Sequence, residues 1–252
     1  MNFEKLYETI FVRKSVRKFS DQLLDNEKLT FIRNAFNGTR PFLPSIDIDL
    51  KIVPRNSVKG LLMVKAPHYL LFFSENKPGY LLNTGFILQQ IDLFLSSVGL
   101  GSCWLGLTKP KKVFPETSSL EFVIALATGN PEENLYRKNI SEFNRKPLEQ
   151  IRKGDKFEDI IEAARLAPSA TNSQPWFFIT NNNSIHCYCI KPGLLKRIIY
   201  KKMNKIDMGI SLCHLWLAAL NKKFGINFHT DPDAKRNSPD DYYYVKSILL
   251  KQ

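Results

Sequence analysis

Long apolar runs and low-complexity tracts are missing from this chain of 252 residues. No apolar run approaches the roughly 20 residues that a membrane-spanning helix needs. The first residues, MNFEKLYETIFVRKS, contain an early acid and no long apolar core, so they do not fit a secretory signal. No linker rich in Gly, Ser or Pro divides the chain, and its 44% hydrophobic content is enough for one large domain or two small ones. We therefore expect a cytoplasmic protein.

Cysteine and histidine are scarce, with four of each, and neither has the spacing of a metal site. Cys187 and Cys189 alternate along a strand-like stretch, but no second pair lies at ligand spacing. Cys103 and Cys213 lie among apolar residues. Free buried thiols in a reducing compartment are the simpler interpretation, and we expect no bound metal.

Acidic residues are fewer than basic ones: the chain has 24 aspartates and glutamates and 36 lysines and arginines, which gives a net charge of +12. Such a charge is compatible with nucleic acid, an anionic membrane surface or a phosphorylated ligand. The basic residues are spread along the chain and form no known nucleic-acid motif. Residues 194–206, LLKRIIYKKMNKI, fit a basic amphipathic membrane-surface helix, but they fit an ordinary surface helix equally well. We expect neither nucleic acid nor membrane as a partner.

Two long apolar segments repeat one pattern. Residues 83–106, NTGFILQQIDLFLSSVGLGSCWLG, have the periodicity of a deeply buried helix that stops at glycine. Residues 207–228, DMGISLCHLWLAALNKKFGINF, are also apolar for most of their length and stop at glycine. The two segments superpose with Gly85 on Gly209 and Gly101 on Gly225.

Shorter elements repeat as well. Residues 26–42 and 155–171 are both typical of an amphipathic helix that runs into a proline turn. Each half therefore predicts helix, strand, strand and long buried helix. We expect an α+β fold of two related subdomains, residues 1–152 and 153–252; the alternative is chance similarity between two buried helices. The β-branched and aromatic runs that predict strands are 48–54, 68–74, 121–129, 176–180 and 184–190.

Four motifs, which together touch most of the chain, identify a family resemblance. RKSVRKF (13–19) closely resembles the N-terminal signature of the nitroreductase family of flavoproteins. AARLAPSATNSQPWFF (163–178) resembles the second signature almost residue for residue. SSVGLGSCWLG (96–106) resembles the third, and FNRKPLEQI (143–151) the C-terminal tail. The second motif is long and specific, whereas the first alone also fits a solvated basic turn.

The motif order differs from that of ordinary family members, which are homodimers with FMN at the subunit interface. The first half has the arginine, glycine and tail motifs, and its counterpart of the second signature, NGTRPFLPS, is degenerate. The second half has an intact PSATNSQPW, while its counterparts of the arginine and glycine motifs, IRKGDKFED and KKFGINF, are not preserved. The resemblance implies a fused pseudo-dimer with one complete flavin site assembled between the halves, a vestigial second site and a monomeric state.

The resemblance also implies which residues bind the FMN phosphate. Guanidinium and ammonium groups suit a phosphate because they donate several charge-assisted hydrogen bonds. The candidates are Arg13, Lys14 and Arg145, with Arg17 close behind, and Ser15 as a donor to a phosphate or ribityl oxygen.

The polar loop of the second signature is expected to contact the flavin ring, which needs flat apolar contact and a few polar groups. Pro168, Ser169, Ala170 and Asn172 are the candidates. Gln174 and Trp176 are expected to hold the loop instead. The alternative is a helix-to-strand connection whose polar groups satisfy its own backbone.

The third signature is expected to face flavin N5. By position the backbone N–H donor to N5 is that of Gly106, with Cys103, Trp104 and Leu105 lining the ring. Family members often have a glutamate where this chain has Leu105. Lys59 lies roughly where the family has a contact to the pyrimidine edge of the ring.

The function implied is an FMN-dependent oxidoreductase that transfers hydride from NADH or NADPH through the flavin to a nitroaromatic or quinone. No side chain is expected to act as acid, base or nucleophile, and exchange of substrates at one flavin face predicts ping-pong kinetics. The alternative is a flavin-binding or scavenging protein with little turnover.

Overall fold

The computed structural model describes residues 1–60, 63–111, 120–191, 193 and 197–251. They form two compact units, each described by itself below. Unit 1 consists of Met1 and residues 12–142, and unit 2 consists of residues 2–11 and 143–252. The division into related halves at 152 and 153 stays a prediction. Of the basic segment 194–206, residues 194–196 lie outside the described residues, and a helix begins at Arg197.

Helices and strands alternate along the chain. The α-helices are α1 (Phe3–Ile10), α2 (Asn26–Asn37), α3 (Tyr80–Ser97), α4 (Leu148–Ile151), α5 (Glu158–Arg165), α6 (Arg197–Asn221) and α7 (Pro232–Arg236). The strands are β1 (Ile48–Pro54), β2 (Val58–Gly60), β3 (His68–Ser74), β4 (Gly101–Leu105), β5 (Thr108–Pro110), β6 (Glu121–Gly129), β7 (Arg152–Lys153), β8 (Trp176–Thr180), β9 (Ser184–Ile190), β10 (Gly225–His229) and β11 (Tyr242–Lys251).

Unit 1 is built on a four-stranded antiparallel sheet in the order β1-β3-β6-β4. The central strand β3 is buried on both faces, which explains its unbroken apolar run. Helix α3 is buried over nearly its whole length, as an all-round apolar sequence requires. Helix α2 begins where the Asp25 side chain accepts the Lys28 N–H at 2.8 Å, and it ends before Gly38.

Unit 2 has a five-stranded sheet in the order β10-β11-β9-β8-β7, antiparallel except for β7, which pairs parallel with β8. Helix α6 is buried from Ile206 to Ala219. Helix α1 belongs to this unit: the Phe3 ring meets the Trp216 ring edge to face at 5.0 Å between centroids.

The two units repeat one element order. In each, a helix (α2 or α5) leads into two antiparallel strands, then a long buried helix (α3 or α6) and two further strands. The sheet order is also the same, because β1-β3-β6-β4 and β8-β9-β11-β10 both place the fourth strand between the second and the third. Gly101 and Gly225, which the predicted superposition aligns, each begin the strand after the long helix. Chance similarity of two helices does not explain a common strand order.

The predicted α+β class and the predicted strands are confirmed. The runs at 48–54, 68–74, 121–129, 176–180 and 184–190 are β1, β3, β6, β8 and β9. The elements that were not predicted are the helices α1, α4 and α7 and the strands β2, β4, β5, β7, β10 and β11.

All four cysteines are free and buried. Among the described residues, no group of three or more His, Cys, Asp or Glu side chains is arranged to hold a metal ion. None of the helices within the described ranges combines the length and apolar character needed to cross a membrane.

Candidate cofactor site

The arginine motif of unit 1 is anchored by a buried ion pair. Arg13 is 1% exposed, and its Nε lies 3.1 Å from Oδ2 of Asp92, a fully buried residue of α3. Its Nη2 donates to Ser15 Oγ at 3.1 Å. Two of the predicted phosphate-binding residues, Arg13 and Ser15, are therefore in contact. Such a pair holds its geometry because either charge alone would be costly to bury.

A second arginine, missed in the sequence, packs against this motif. The backbone N–H of Arg137 donates to the Val12 carbonyl at 2.7 Å, and its guanidinium donates to the Arg13 carbonyl. Burial, with help from the positive charges of Arg13 and Arg17 and against the opposing effect of Glu142, lowers the pKa of Arg137 to about 10. The charges of Arg13, which is paired with Asp92, and of Arg17 thus both act on Arg137, and such surroundings suit an anion. Its only sequence signal is a basic residue in LYRKNI, which lies outside the four motifs.

Glu133 fixes the backbone on the other side of the motif. Its Oε1 accepts the N–H groups of Arg17 at 2.5 Å and Lys18 at 3.2 Å, and its Oε2 lies 3.5 Å from Lys14 Nζ. The Arg17 N–H holds the pKa of Glu133 below its usual range, with help from Lys18 and Lys14 and against partial desolvation. The two remaining phosphate candidates of unit 1, Lys14 and Arg17, are therefore held by one carboxylate.

Strand β4 packs directly on the arginine motif. The Val16 N–H donates to the Ser102 carbonyl at 2.9 Å, and a Cβ on Gly101 would lie 2.9 Å from Val16 and the Phe19 ring. Cys103 is close enough to feel the arginine charges: burial raises its pKa, while Arg17 and Arg13 lower it. The first and third motifs are thus neighbours within unit 1.

The glycine turn follows at the end of β4. Cys103 and Leu105 are buried, Trp104 is half-buried, and Gly106 is exposed in the turn to β5. Lys59 lies on β2, which pairs with β5, next to this turn. An apolar strand end beside an exposed backbone turn is the arrangement expected of a surface that takes a flat ring.

The loop of unit 2 has an unusual backbone. Thr171, Asn172 and Gln174 have positive φ values of 52°, 56° and 48°. Non-glycine residues in this region cost on the order of 1 to 3 kcal/mol each and persist only where surrounding contacts enforce them. The segment 168–174 is therefore held in a shape that it would not adopt alone.

Gln174 supplies much of that enforcement. Its side chain is 5% exposed; Oε1 accepts the Lys146 N–H at 2.7 Å, and Nε2 donates to the Asn172 carbonyl at 3.2 Å. Its own N–H donates to Ser169 Oγ at 2.9 Å. The side chain thus holds the loop, as expected from the sequence.

We expect Gln174→Ala to lower the free energy of unfolding by about 1 to 3 kcal/mol, because two buried backbone groups lose their partner. Urea denaturation measures this. The control is Gln22→Ala at an exposed position, with an expected change within about 0.5 kcal/mol. Equal losses in the two variants would contradict the role given to Gln174.

The tail motif reaches the same loop. Arg145 Nη1 donates to Asn172 Oδ1 at 2.8 Å, and Nη2 donates to the Leu166 carbonyl at 3.2 Å. Asn172 Nδ2 in turn donates to the Asn144 carbonyl at 2.8 Å. Arg145 was grouped with the first half by sequence, but it belongs to unit 2 and contacts another predicted site residue there.

Three further predicted site residues lie in the same loop as Asn172. Pro168, Ser169 and Ala170 are half-buried, and the Ala170 N–H donates to the carboxylate of Asp207 on α6. The alternative interpretation, a connection whose polar groups satisfy its own backbone, accounts for the Ser169 and Gln174 contacts. The Ala170 N–H finds its partner outside the loop, in Asp207, and a flavin contact by Pro168, Ser169, Ala170 and Asn172 stays a prediction.

Comparisons with known proteins show what the chain is similar to. The family model described as "Putative TM nitroreductase" matches residues 5–219. A solved structure from Thermotoga maritima, described as a "putative nitroreductase", has a TM-score of 0.66 and is 22% identical. That match covers 100% of this chain and 95% of the other, so the fold is that of the nitroreductases.

Shorter chains match part of the protein. A nitroreductase family protein of Clostridium difficile 630 is 19% identical over 63% of this chain and 99% of its own, with a TM-score of 0.46. A structure from Clostridium difficile R20291, described as an FMN-dependent nitroreductase, is 17% identical over 57% of this chain and 95% of its own, with a TM-score of 0.41. No curated protein matches the sequence.

Proposed function

Because the chain belongs to the nitroreductase family, we propose that it is an FMN-dependent oxidoreductase. In this proposal it takes hydride from NADH or NADPH and passes it to a small acceptor such as a nitroaromatic or a quinone. We place it in the cytoplasm, which is in keeping with four buried cysteines that form no disulfide bond. We also propose that it is a monomer.

The observation that carries the proposal is the guanidinium group of unit 1, formed by Arg13, Arg17 and Arg137. Burial, together with the positive charges of Arg13 and Arg17, lowers the pKa of Arg137, and an anion of two charges or nearly so, which is the charge of a phosphate monoester at neutral pH, would offset these effects. Guanidinium forks match phosphate oxygens in geometry as well as in charge. The donor chemistry of unit 1 therefore fits the FMN phosphate.

The groups for the flavin ring come from two places in the sequence. In unit 2 the strained loop offers Pro168 and Ala170 as apolar contacts, with Ser169 and Asn172 as polar partners for the pyrimidine edge. In unit 1 the candidates are Cys103, Leu105 and the backbone N–H of Gly106. Loop strain supports the proposal, because unusual backbone conformations cluster at binding sites.

Bound FMN would supply the hydride chemistry, and the protein would supply binding and orientation. The phosphate end of FMN would be held by Arg13, Lys14, Arg17 and Arg137. Arg145 would contribute by fixing the loop through its hydrogen bond to Asn172. The Gly106 N–H would donate to the ring nitrogen that gains electron density. The basic surface, at a net charge of +12, would raise the rate of association with the phosphates of the dinucleotide, an effect that salt weakens.

A flavin-binding protein with little turnover is the second candidate. It is favoured by Leu105, an 8% exposed apolar residue where family members often have a glutamate. Steady-state oxidation of NADH or NADPH with a nitroaromatic or quinone separates the two candidates. A bound flavin that neither dinucleotide reduces would favour the second.

We expect the purified protein to be yellow and to release about one FMN per chain on heating, because the sequence has one complete set of motifs. Absorbance of the bound flavin and quantification after release measure this. Two FMN per chain would mean that NGTRPFLPS is functional. No flavin after soaking in excess FMN would refute the proposed function.

A further inference from the structure

A buried carboxylate lies under the strained loop. Asp207, on α6, is 3% exposed, and its two carboxylate oxygens lie 3.1 and 3.2 Å from the Ala170 nitrogen, whose N–H they accept. Ala170 begins the 3₁₀ turn Ala170–Asn172, which contains two of the positive-φ residues. Asp207 therefore holds the loop at the point where its backbone departs from ordinary geometry.

The charge of Asp207 is poorly compensated. No salt bridge among the described residues includes it. Burial raises the pKa of Asp207 to about 7, while the Ala170 N–H and the Ser173 hydroxyl act in the opposite direction. An ionised carboxylate without a cation is expensive to bury, so its presence calls for a reason.

Two other titratable groups near Asp207, Cys189 and Tyr243, keep one charge state near neutral pH. Burial raises the pKa of Cys189, on β9, to about 12. Burial also raises the pKa of Tyr243, on β11, which contacts Cys189. Lys205 is exposed on the same helix as Asp207. Asp207 is therefore the group in these surroundings that changes charge between about pH 6 and pH 8.

Unit 1 has a neutral counterpart. When Gly85 is superposed on Gly209, Asn83 of α3 falls on Asp207. Asn83 is fully buried, and its Oδ1 accepts the Leu43 N–H at 2.9 Å in the loop that follows α2. An amide is thus sufficient to hold such a loop. The degenerate loop is held by an amide, and the intact loop by a carboxylate.

We propose that Asp207 is a positioning residue for the flavin loop, whose protonation state sets how firmly the loop is held and so how tightly flavin binds. This inference rests on the proposed function. The ionised carboxylate is the stronger acceptor for the Ala170 N–H. Protonation leaves a neutral acceptor, like the amide of Asn83, so that bond weakens and residues 169–172 are held less firmly. Flavin affinity therefore increases as the pH rises through about 7.

Stability changes in the opposite direction. The folded-state pKa of Asp207 lies above its ordinary value of 3.8, so the native state binds more protons than the unfolded state between the two values. This group therefore makes the free energy of unfolding fall as the pH rises from about 4 to 7, with no further change above that range. Rising affinity with falling stability is a signature that a merely structural residue would not produce.

The test compares wild type with Asp207→Asn, which keeps the acceptor and the shape but loses the charge. Riboflavin affinity is measured by fluorescence quenching from pH 5.5 to 8.5 at fixed ionic strength; riboflavin avoids the titration of the FMN phosphate. We expect about a tenfold gain in wild-type affinity across this range and a flat profile for Asp207→Asn. Asp233→Asn, at an exposed position, is the control and should follow wild type.

A second readout needs no flavin. The ¹⁵N and ¹H shifts of the Ala170 amide should titrate near pH 7 in the wild-type protein and stay constant in Asp207→Asn. Flavin bound with the same pH dependence in both proteins, or an Ala170 amide that does not titrate, overturns the role of Asp207 and leaves the proposed function standing. Absence of flavin binding at every pH overturns the proposed function and, with it, the flavin-linked role.

Discussion

Arg13→Ala should lower the free energy of unfolding by about 3 to 5 kcal/mol, the usual cost of removing one partner of a buried ion pair. Asp92 would be left fully buried without its cation, and the hydrogen bond to Ser15 would also be lost. Urea denaturation at pH 7 measures the change.

Two further variants make that result specific. Lys14→Ala removes a more exposed pair with Glu133 at 3.5 Å, and the expected loss is about 1 kcal/mol or less. The double variant Arg13→Met with Asp92→Leu replaces both charges by apolar groups and should recover most of the stability. If Arg13→Ala cost no more than Lys14→Ala, the ion pair would not be what anchors the arginine motif.

Arg137→Ala should weaken FMN binding by about 10-fold to 100-fold, since a hydrogen bond to a charged group contributes about 1.5 to 3 kcal/mol. Riboflavin binding should change little, because riboflavin has no phosphate. Fluorescence quenching with the two ligands measures both affinities. Raising the salt concentration should reduce the difference in FMN affinity between the wild-type protein and Arg137→Ala, because salt screens the charge of the phosphate.

Arg137 also donates to the Arg13 carbonyl, so the variant could perturb the turn as well as the charge. Arg137→Lys keeps a cation and should retain an intermediate FMN affinity. Lys138→Ala removes an exposed neighbouring charge and should bind FMN as wild type does. Equal weakening of FMN and riboflavin in Arg137→Ala would assign the effect to the turn and not to a phosphate contact.

The elements with strong local patterns could be predicted from the sequence. Helix α3 and strand β3 are apolar on all sides because they are buried on all sides, and burial of that kind is visible in a single segment. Strand β11 could not be found in this way, because its tyrosines are half-buried and its residues do not alternate cleanly. Helix α1 was missed because it has only eight residues. Its apolar face packs on α6, which lies at the other end of the chain and gives no local signal.

In the candidate site, too, some residues could be predicted from the sequence and others could not. The motifs identified Arg13, Ser15, Asn172 and Arg145, and the structure brings the first two together and the last two together. Arg137 and Asp207 carry no motif. Arg137 reaches Arg13 through a β-bridge between Arg13 and Tyr136, and Asp207 reaches the loop from the first buried turns of α6. Contacts between distant segments depend on the folded backbone, and a single sequence contains little information about them.

The placement of α1 has a consequence for the order in which the protein folds. Unit 2 begins at Asn2, is interrupted by residues 12–142 and resumes at Phe143, so unit 1 is an insertion within it. During synthesis, the ribosome releases α1 long before α6 exists. The buried face of α1, with Leu6 and Ile10, must therefore stay uncovered or be held by a chaperone while unit 1 folds. A separable fragment should begin at Val12, since one that begins at Met1 would expose this orphaned helix.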